Sequence, residues 1–195
     1  MAYDFYALMD RMKYIRRWQL MRSVRDENIM EHSMQTAVFA HALAIINNKI
    51  FGGGADAQKA LLYAVYHECG EVFTGDMPTP IKYFNRSLLG AYKDVESRAC
   101  DKLLSALPAE LRDEIAVYMK PDTGSLEYRL LKAADRLAAY VKCLEELRCG
   151  NTEFSKAEKS IKDDLLSRGM PEVEYFFKNF IESFNLSLDE LEGIY

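Results

Sequence analysis

The chain holds three histidines, His32, His41 and His67, and two of them stand beside carboxylates, in Glu31-His32-Ser33 and in Tyr66-His67-Glu68-Cys69-Gly70-Glu71. Adjacent residues on a helix project about 100° apart, so His67 and Glu68 can both reach one ion in the groove beside their helix. Glu71, four residues after His67, stands one turn further along the same face. A third acid, Asp135, sits alone in the mostly apolar run Leu130 to Tyr140. A buried carboxylate needs a partner, because leaving it unpaired is expensive. Imidazole and carboxylate together suit a first-row divalent ion. Each residue also has a plainer reading: a lone histidine on an amphipathic helix is more often hydrogen-bonded in the core, and Asp135 is equally served by Arg136 or another base. His41, nine residues after His32, has nothing nearby to complete a second site and is expected to pack structurally.

These groups must be positioned by helices. Apolar residues recur at three and four, and no stretch alternates as a half-buried strand would. The spacing predicts an all-α chain with helices over Tyr3–Tyr14, Glu31–Asn48, from Asp56 to about Glu71–Thr74, Leu88–Ala106, Ala109–Tyr118, Ser125–Leu147, Asn151–Arg168 and Pro171–Ser183, and a short one after Ser187. His32 then opens one long helix and His67 closes the next. The run Phe51-Gly52-Gly53-Gly54 ends the first and supplies backbone conformations that glycine takes cheaply. Gly75 to Pro80, with two prolines, is expected to be an ordered loop.

Composition limits the partners. The 195 residues are 49% hydrophobic, 12% aromatic and 28% charged, the balance of a chain with a real core, and one domain over 1–195 is expected. With 25 basic and 30 acidic residues the net charge is −5, which argues against nucleic acid, whose phosphates call for a cationic surface. The longest nearly apolar run, Ala37 to Ile46, falls far short of the about 20 residues that cross a bilayer, so no membrane role is expected. The N-terminus lacks the pattern of a secretory signal, and the four cysteines form no CxxC pair. A cytoplasmic location with separate thiols is the expectation.

One segment departs from the acidic background. Between Arg11 and Arg25 lie six basic residues and no acid, together with Trp18, the single tryptophan of the chain. Such a segment is usually a solvated face with one or two members touching a ligand.

With Arg16-Arg17-Trp18-Gln19-Leu20-Met21-Arg22, Glu27-Asn28-Ile29-Met30-Glu31-His32-Ser33, Gly75-Asp76-Met77-Pro78-Thr79-Pro80 and Lys142-Cys143-Leu144-Glu145-Glu146-Leu147, the chain resembles the bacterial HD-domain 5'-deoxynucleotidases. They belong to the HD-domain metal-dependent phosphohydrolases, named for a split His…His-Asp…Asp signature on helices. The resemblance implies an HD-domain helical bundle that hydrolyses 2'-deoxyribonucleoside 5'-monophosphates to deoxyribonucleoside and phosphate, as a cytoplasmic homodimer. It implies one divalent transition metal per site, cobalt or manganese foremost, with iron, nickel, zinc or copper as alternatives. Carried over residue by residue, His32, His67, Glu68 and Asp135 would hold the metal. Glu71 would be the catalytic acid, and Asp76 would orient the attacking water or read the sugar. Arg17 would hold the phosphate, Trp18 would pack on the sugar and help exclude a 2'-hydroxyl, and Thr79 would also bind substrate. The chain departs from the pattern at Glu68, where the family has Asp. A nucleotide-binding or sensor module weakened in catalysis is therefore the alternative.

Overall fold

The computed structural model describes residues 2–82 and 84–191. In chain order the helices are α1 (Phe5–Asp10), α2 (Ile29–Ile50), α3 (Ala57–Tyr66), α4 (Glu71–Thr74), α5 (Thr79–Lys82), α6 (Arg86–Ser105), α7 (Ala109–Met119), α8 (Leu126–Arg148), α9 (Ser155–Ser167) and α10 (Pro171–Asn179). Single 3-10 turns follow or precede several of them, at Arg11–Tyr14, Thr152–Phe154, Ile181–Asn185 and Leu188–Glu190. Among the described residues there is no strand, only one isolated antiparallel bridge between Arg16 and Asn28. The all-α expectation holds.

Side-chain caps set where the main helices begin. Asn28 accepts from the amides of Met30 and Glu31, Asp56 from Lys59, Asn85 from Leu88 and Ser125 from Tyr128, each satisfying donors that the first turn leaves free. Helix α10 starts on Pro171, whose missing N–H costs nothing there. The core joins α2, α3 and α8 through Ala40, Leu43, Ala44, Ala60, Ala64, Ala134, Leu137 and Ala138, all wholly buried. Alanines at these contacts let the three helix axes come close, which brings α2, the end of α3 and the middle of α8 together. A second apolar cluster, with Phe5, Met12, Leu103, Leu107 and Met119, ties the N-terminus to α6 and α7. Cys69 packs into this second cluster while Tyr63 and Ala64 belong to the first, so the residues between them bridge the two.

Several boundaries differ from the sequence reading, each for a local reason. Helix α2 starts two residues before Glu31 because Asn28, rather than a later residue, is the cap. Asn85 likewise starts α6 at Arg86 instead of Leu88. The predicted helix from Asp56 breaks after Tyr66: His67 caps α3, and amides of Cys69, Glu71 and Val72 bond three residues back in tight turns before α4. His67 and Glu68 thus lie on a turn, not on a helix. The proline segment is not all loop, since Thr79–Lys82 forms one helical turn with its prolines at or before the start, where a missing donor is tolerated. His41 is exposed on α2 and does not pack in the core, because its position faces away from α8.

Candidate metal centre and nucleotide cleft

Four side chains from three parts of the chain converge. His32 comes from the first turn of α2, His67 and Glu68 from the turn after α3, and Asp135 from the middle of α8. Their potential ligand atoms lie within 4.8 Å of one another, close to the at most about 4.4 Å that separates two ligands of one ion at 2.0–2.2 Å each. His32 Nε2 stands 3.1 Å from Asp135 Oδ1, and His67 Nε2 stands 3.2 Å from Glu68 Oε1 and 4.0 Å from Asp135 Oδ1.

The protonation pattern tests whether a cation fits. His67 Nδ1 donates to the Ala64 carbonyl at 2.6 Å, which turns Nε2 toward the carboxylates. That nitrogen is buried and has no hydrogen-bond partner among the described residues. Between two carboxylates this nitrogen calls for a positive charge, a proton or a bound cation, and a backbone acceptor on the other ring nitrogen is the usual way a metal-binding histidine is oriented. Imidazole nitrogen and carboxylate oxygen are donors that a divalent transition ion accepts. The set fits a metal.

Burial and neighbouring charge prepare the same groups. Burial, reinforced by the nearby Arg17 cation, lowers the His32 pKa to about 4, so the ring is neutral at neutral pH. Burial works against ionisation of Asp135, but Lys132 and His32 outweigh it and hold the carboxyl well below its usual range. Lys132 Nζ donates to Asp135 Oδ2 at 2.7 Å. The base beside Asp135 is therefore Lys132, while Arg136 pairs with Asp164 instead. Burial also opposes ionisation of Glu68, and positive charge at the His67 side of the cluster, with a bond from Glu71, outweighs it and holds the carboxyl below its usual range.

Glu71 behaves in the opposite way. It is buried, one carboxyl oxygen meets no partner, and burial together with the charge of Glu68 pushes its pKa to about 11. A carboxylic acid that keeps its proton at neutral pH beside an ionised carboxylate is arranged for proton donation.

An open cleft of about 550 Å³ lies over these groups, with Glu68, Glu71 and Asp135 on its floor. Arg17, Trp18, Asp76 and Thr79 line its walls, so the residues singled out from the sequence meet at one site apart from His41. Asp76 is half-buried, and burial raises its pKa against the pull of Arg17. Thr79 is exposed at the rim, at the start of α5.

The loop carrying Arg17 and Trp18 is held at both ends. Backbone bonds close its base, from the Arg17 amide to the Glu27 carbonyl at 2.9 Å and from the Ile29 amide to the Ile15 carbonyl at 3.0 Å. Across its crown runs a polar network from the end of α8, where Lys142 and Glu146 are 3% and 1% exposed. Glu146 accepts from the amides of Val24 and Arg25 at 2.8 and 3.2 Å, Lys142 donates to the Arg25 carbonyl at 2.6 Å, and Asn151 donates to the Arg22 carbonyl at 2.7 Å. Every member has a partner, the condition under which a buried polar network specifies one arrangement.

Sequence reasoning missed part of the wall: Lys82, Lys132, Arg136, Asp164 and Arg168 also line the cleft. Lys132 is one helical turn before Asp135, a signal that i,i+3 spacing carried. Asp164 and Arg168 come from α9 and its end, and nothing local marks them.

The sequence profile of the family described as "5'-deoxynucleotidase YfbR-like" matches residues 4–184. A 5'-deoxynucleotidase of Photobacterium profundum is 49% identical over 188 residues, covering 96% of this chain and 97% of the relative. The 5'-deoxynucleotidase YfbR of Escherichia coli is 48% identical over 188 residues, covering 96% and 94%. Among solved structures, an HD-domain phosphohydrolase from Listeria innocua superposes with a TM-score of 0.81 at 21% identity, over 93% of this chain and 88% of that one, which shows the shared helical fold. With the profile and these relatives matching nearly end to end, the chain belongs to the 5'-deoxynucleotidase YfbR-like family.

Proposed function

We infer that the protein is a metal-dependent 5'-deoxynucleotidase, a phosphoric monoester hydrolase that cleaves 2'-deoxyribonucleoside 5'-monophosphates to deoxyribonucleoside and phosphate. The observation that carries this reading is the buried, unpartnered Nε2 of His67 facing the carboxylates of Glu68 and Asp135, at the floor of a cleft that also holds Arg17 and Trp18. The near full-length identity to curated 5'-deoxynucleotidases supports the substrate class.

His32, His67, Glu68 and Asp135 would hold one divalent transition metal. Bound there, it would supply Lewis acidity toward the phosphoryl oxygens and a water of lowered pKa. The rest falls to the chain's own groups. Arg17, whose burial is more than offset by the carboxylates around it and which stays protonated, binds the phosphate dianion. Glu71 gives its proton to the leaving 5'-oxygen, which would otherwise depart as an alkoxide. Asp76 accepts a hydrogen bond from the attacking water or the deoxyribose 3'-hydroxyl. Trp18 packs on the sugar where a 2'-hydroxyl would sit, and Thr79 binds from the rim. The donor set suits cobalt, manganese, iron, nickel, zinc or copper without choosing among them, and the family resemblance puts cobalt and manganese first.

Glu68 in place of the family's Asp does not favour the binding-module alternative, because its carboxylate reaches the cluster. We further propose a homodimer: Met30, Met34, Val38 and Ile45 form an exposed apolar row along α2 that a second copy would cover. The four free thiols suit a reducing cytoplasm. Phosphate release from deoxy- and ribonucleoside 5'-monophosphates, on metal-stripped protein with single metals restored, tests the function. Metal-dependent preference for deoxy substrates is expected. No turnover with any metal, in folded protein that binds the nucleotide, would leave the binding module.

A further inference from the structure

We propose that Glu27 is a positioning residue that locks Arg17 and Trp18 into one unit, so that phosphate grip and sugar discrimination depend on a carboxylate lining neither. The proposal rests on the deoxynucleotidase reading for the roles of Arg17 and Trp18. Its geometry does not depend on that reading.

A single oxygen, Glu27 Oε2, accepts both from Arg17 NH1 at 3.1 Å and from the Trp18 indole N–H at 2.9 Å. The backbone repeats the link, since the Glu27 carbonyl accepts from the Arg17 amide at 2.9 Å. The Glu27 side chain is only 10% exposed, so the charge of Arg17 is its close match in a site where screening is weak. That bond uses one of the five guanidinium donors and leaves the others for an anion. Among the described residues, Trp18 alone combines a side chain with a positive φ, at 59°. A bulky residue keeps such a backbone only where its surroundings over-determine it. Here they are the Glu27 bond, the Phe154 ring 5.2 Å away and the Arg17 guanidinium 5.8 Å from the indole.

The physical consequence is coupling. Without Glu27, Arg17 keeps its charge but loses its anchor, and the indole N–H loses its acceptor while the strained backbone is free to relax. Both side chains then sample several positions, and the ordering must be supplied at each binding event. This loss falls on substrate binding and on the choice between deoxy and ribo sugars. It does not fall on the metal ligands, none of which Glu27 bonds.

Because Trp18 is the only tryptophan in the chain, its emission reports the proposed contact directly. The experiment compares full-length wild type, Glu27→Ala and Glu27→Gln by acrylamide quenching of that emission on metal-stripped protein. Deoxy- and ribonucleoside monophosphate kinetics with manganese, and manganese binding by calorimetry, complete it. For Glu27→Ala the expected result is a quenching constant at least twofold higher, KM raised about tenfold or more, a deoxy-to-ribo ratio of kcat/KM at least fivefold lower, and kcat and manganese affinity within threefold of wild type. Glu27→Gln keeps an acceptor for the indole and removes the charge facing Arg17. Its quenching should stay near wild type while KM rises, and it carries the test if the alanine variant does not fold. Unchanged quenching and KM in folded Glu27→Ala, or unchanged KM in Glu27→Gln, would overturn the proposal, as would a loss confined to kcat. Should wild type hydrolyse no nucleotide, the function reading fails by itself, and the quenching comparison still decides whether Glu27 holds Trp18.

Discussion

Replacing Glu71 by glutamine should make the protein more stable while making it a poor enzyme. Glu71 is 6% exposed, and burial with the adjacent charge of Glu68 raises its pKa from 4.5 to about 11. In the folded, metal-stripped protein it is therefore protonated at pH 7, whereas in the unfolded chain it is ionised. The unfolded state binds fewer protons, so this group's contribution to stability is complete below pH 4.5 and falls as pH rises toward the folded value. At pH 7 the cost is at most about (7.0 − 4.5) × 1.36, or ~3 kcal/mol. Glutamine is neutral in both states, and its amide can donate to Glu68 as the protonated acid does. The variant should then melt up to roughly 6–12 °C higher at pH 7, at about 2–4 °C per kcal/mol for this size, with no gain at pH 4. In the metal-loaded enzyme, loss of the proton donor should lower kcat by about 10²–10⁴, with KM and metal affinity little changed. Calorimetric melts at the two pH values and steady-state kinetics decide the matter. A melting difference that is the same at pH 4 and pH 7 would refute the buried-acid argument, and kcat within threefold of wild type would refute the catalytic one.

Arg17→Met should raise KM for the monophosphate by about 10–100-fold, or ~1.4–2.7 kcal/mol, without changing metal affinity; an unchanged KM in steady-state assays would remove Arg17 from the phosphate site. Chelation should abolish turnover, and His67→Ala should prevent its recovery on adding manganese or cobalt, with calorimetry expected to show one ion per wild-type chain. Glu68→Asp should still bind one ion, since the donor and its charge are the same, and loss of binding would show that only the longer side chain reaches from this turn. Glu146 sits wholly buried with Lys142; burial opposes its ionisation, but bonds from Lys142, the Val24 amide and Asn151 lower its pKa to about 2. Its stabilisation is thus full above pH 4.5 and lost as pH falls toward 2. Glu146→Ala leaves a buried ammonium unpaired and should cost about 3–5 kcal/mol, read as a lower denaturant midpoint; a loss below 1 kcal/mol would show that the network does not anchor the loop.

Much was legible along the chain because the signals are local. The 3.6-residue periodicity marked the helices, and the scarcity of histidine narrowed the ligands to His32, His67 and their neighbouring acids. The blocks around Arg17-Trp18 and Asp76 pointed to the family that the profile match and the relatives then showed. Helix ends were less legible, since several candidate caps compete over a few residues: Asn28 rather than a later residue starts α2, and the break after Tyr66 follows from Cys69 packing into a different apolar cluster from Tyr63.

What only the tertiary structure decided is long-range pairing. Charge spacing alone left Asp135 free to pair with Arg136, and folding gave it Lys132 and His32, 103 residues away. It set Glu27 under both Arg17 and Trp18, brought Asp164 and Arg168 of the α9 region to the cleft, and pinned the basic loop to Glu146 more than 120 residues on. It also raised one glutamate and lowered its neighbour three residues away. The reason is physical: a residue's type and spacing state which bonds it is able to make, whereas burial and the partners at hand determine which of them form and which proton stays.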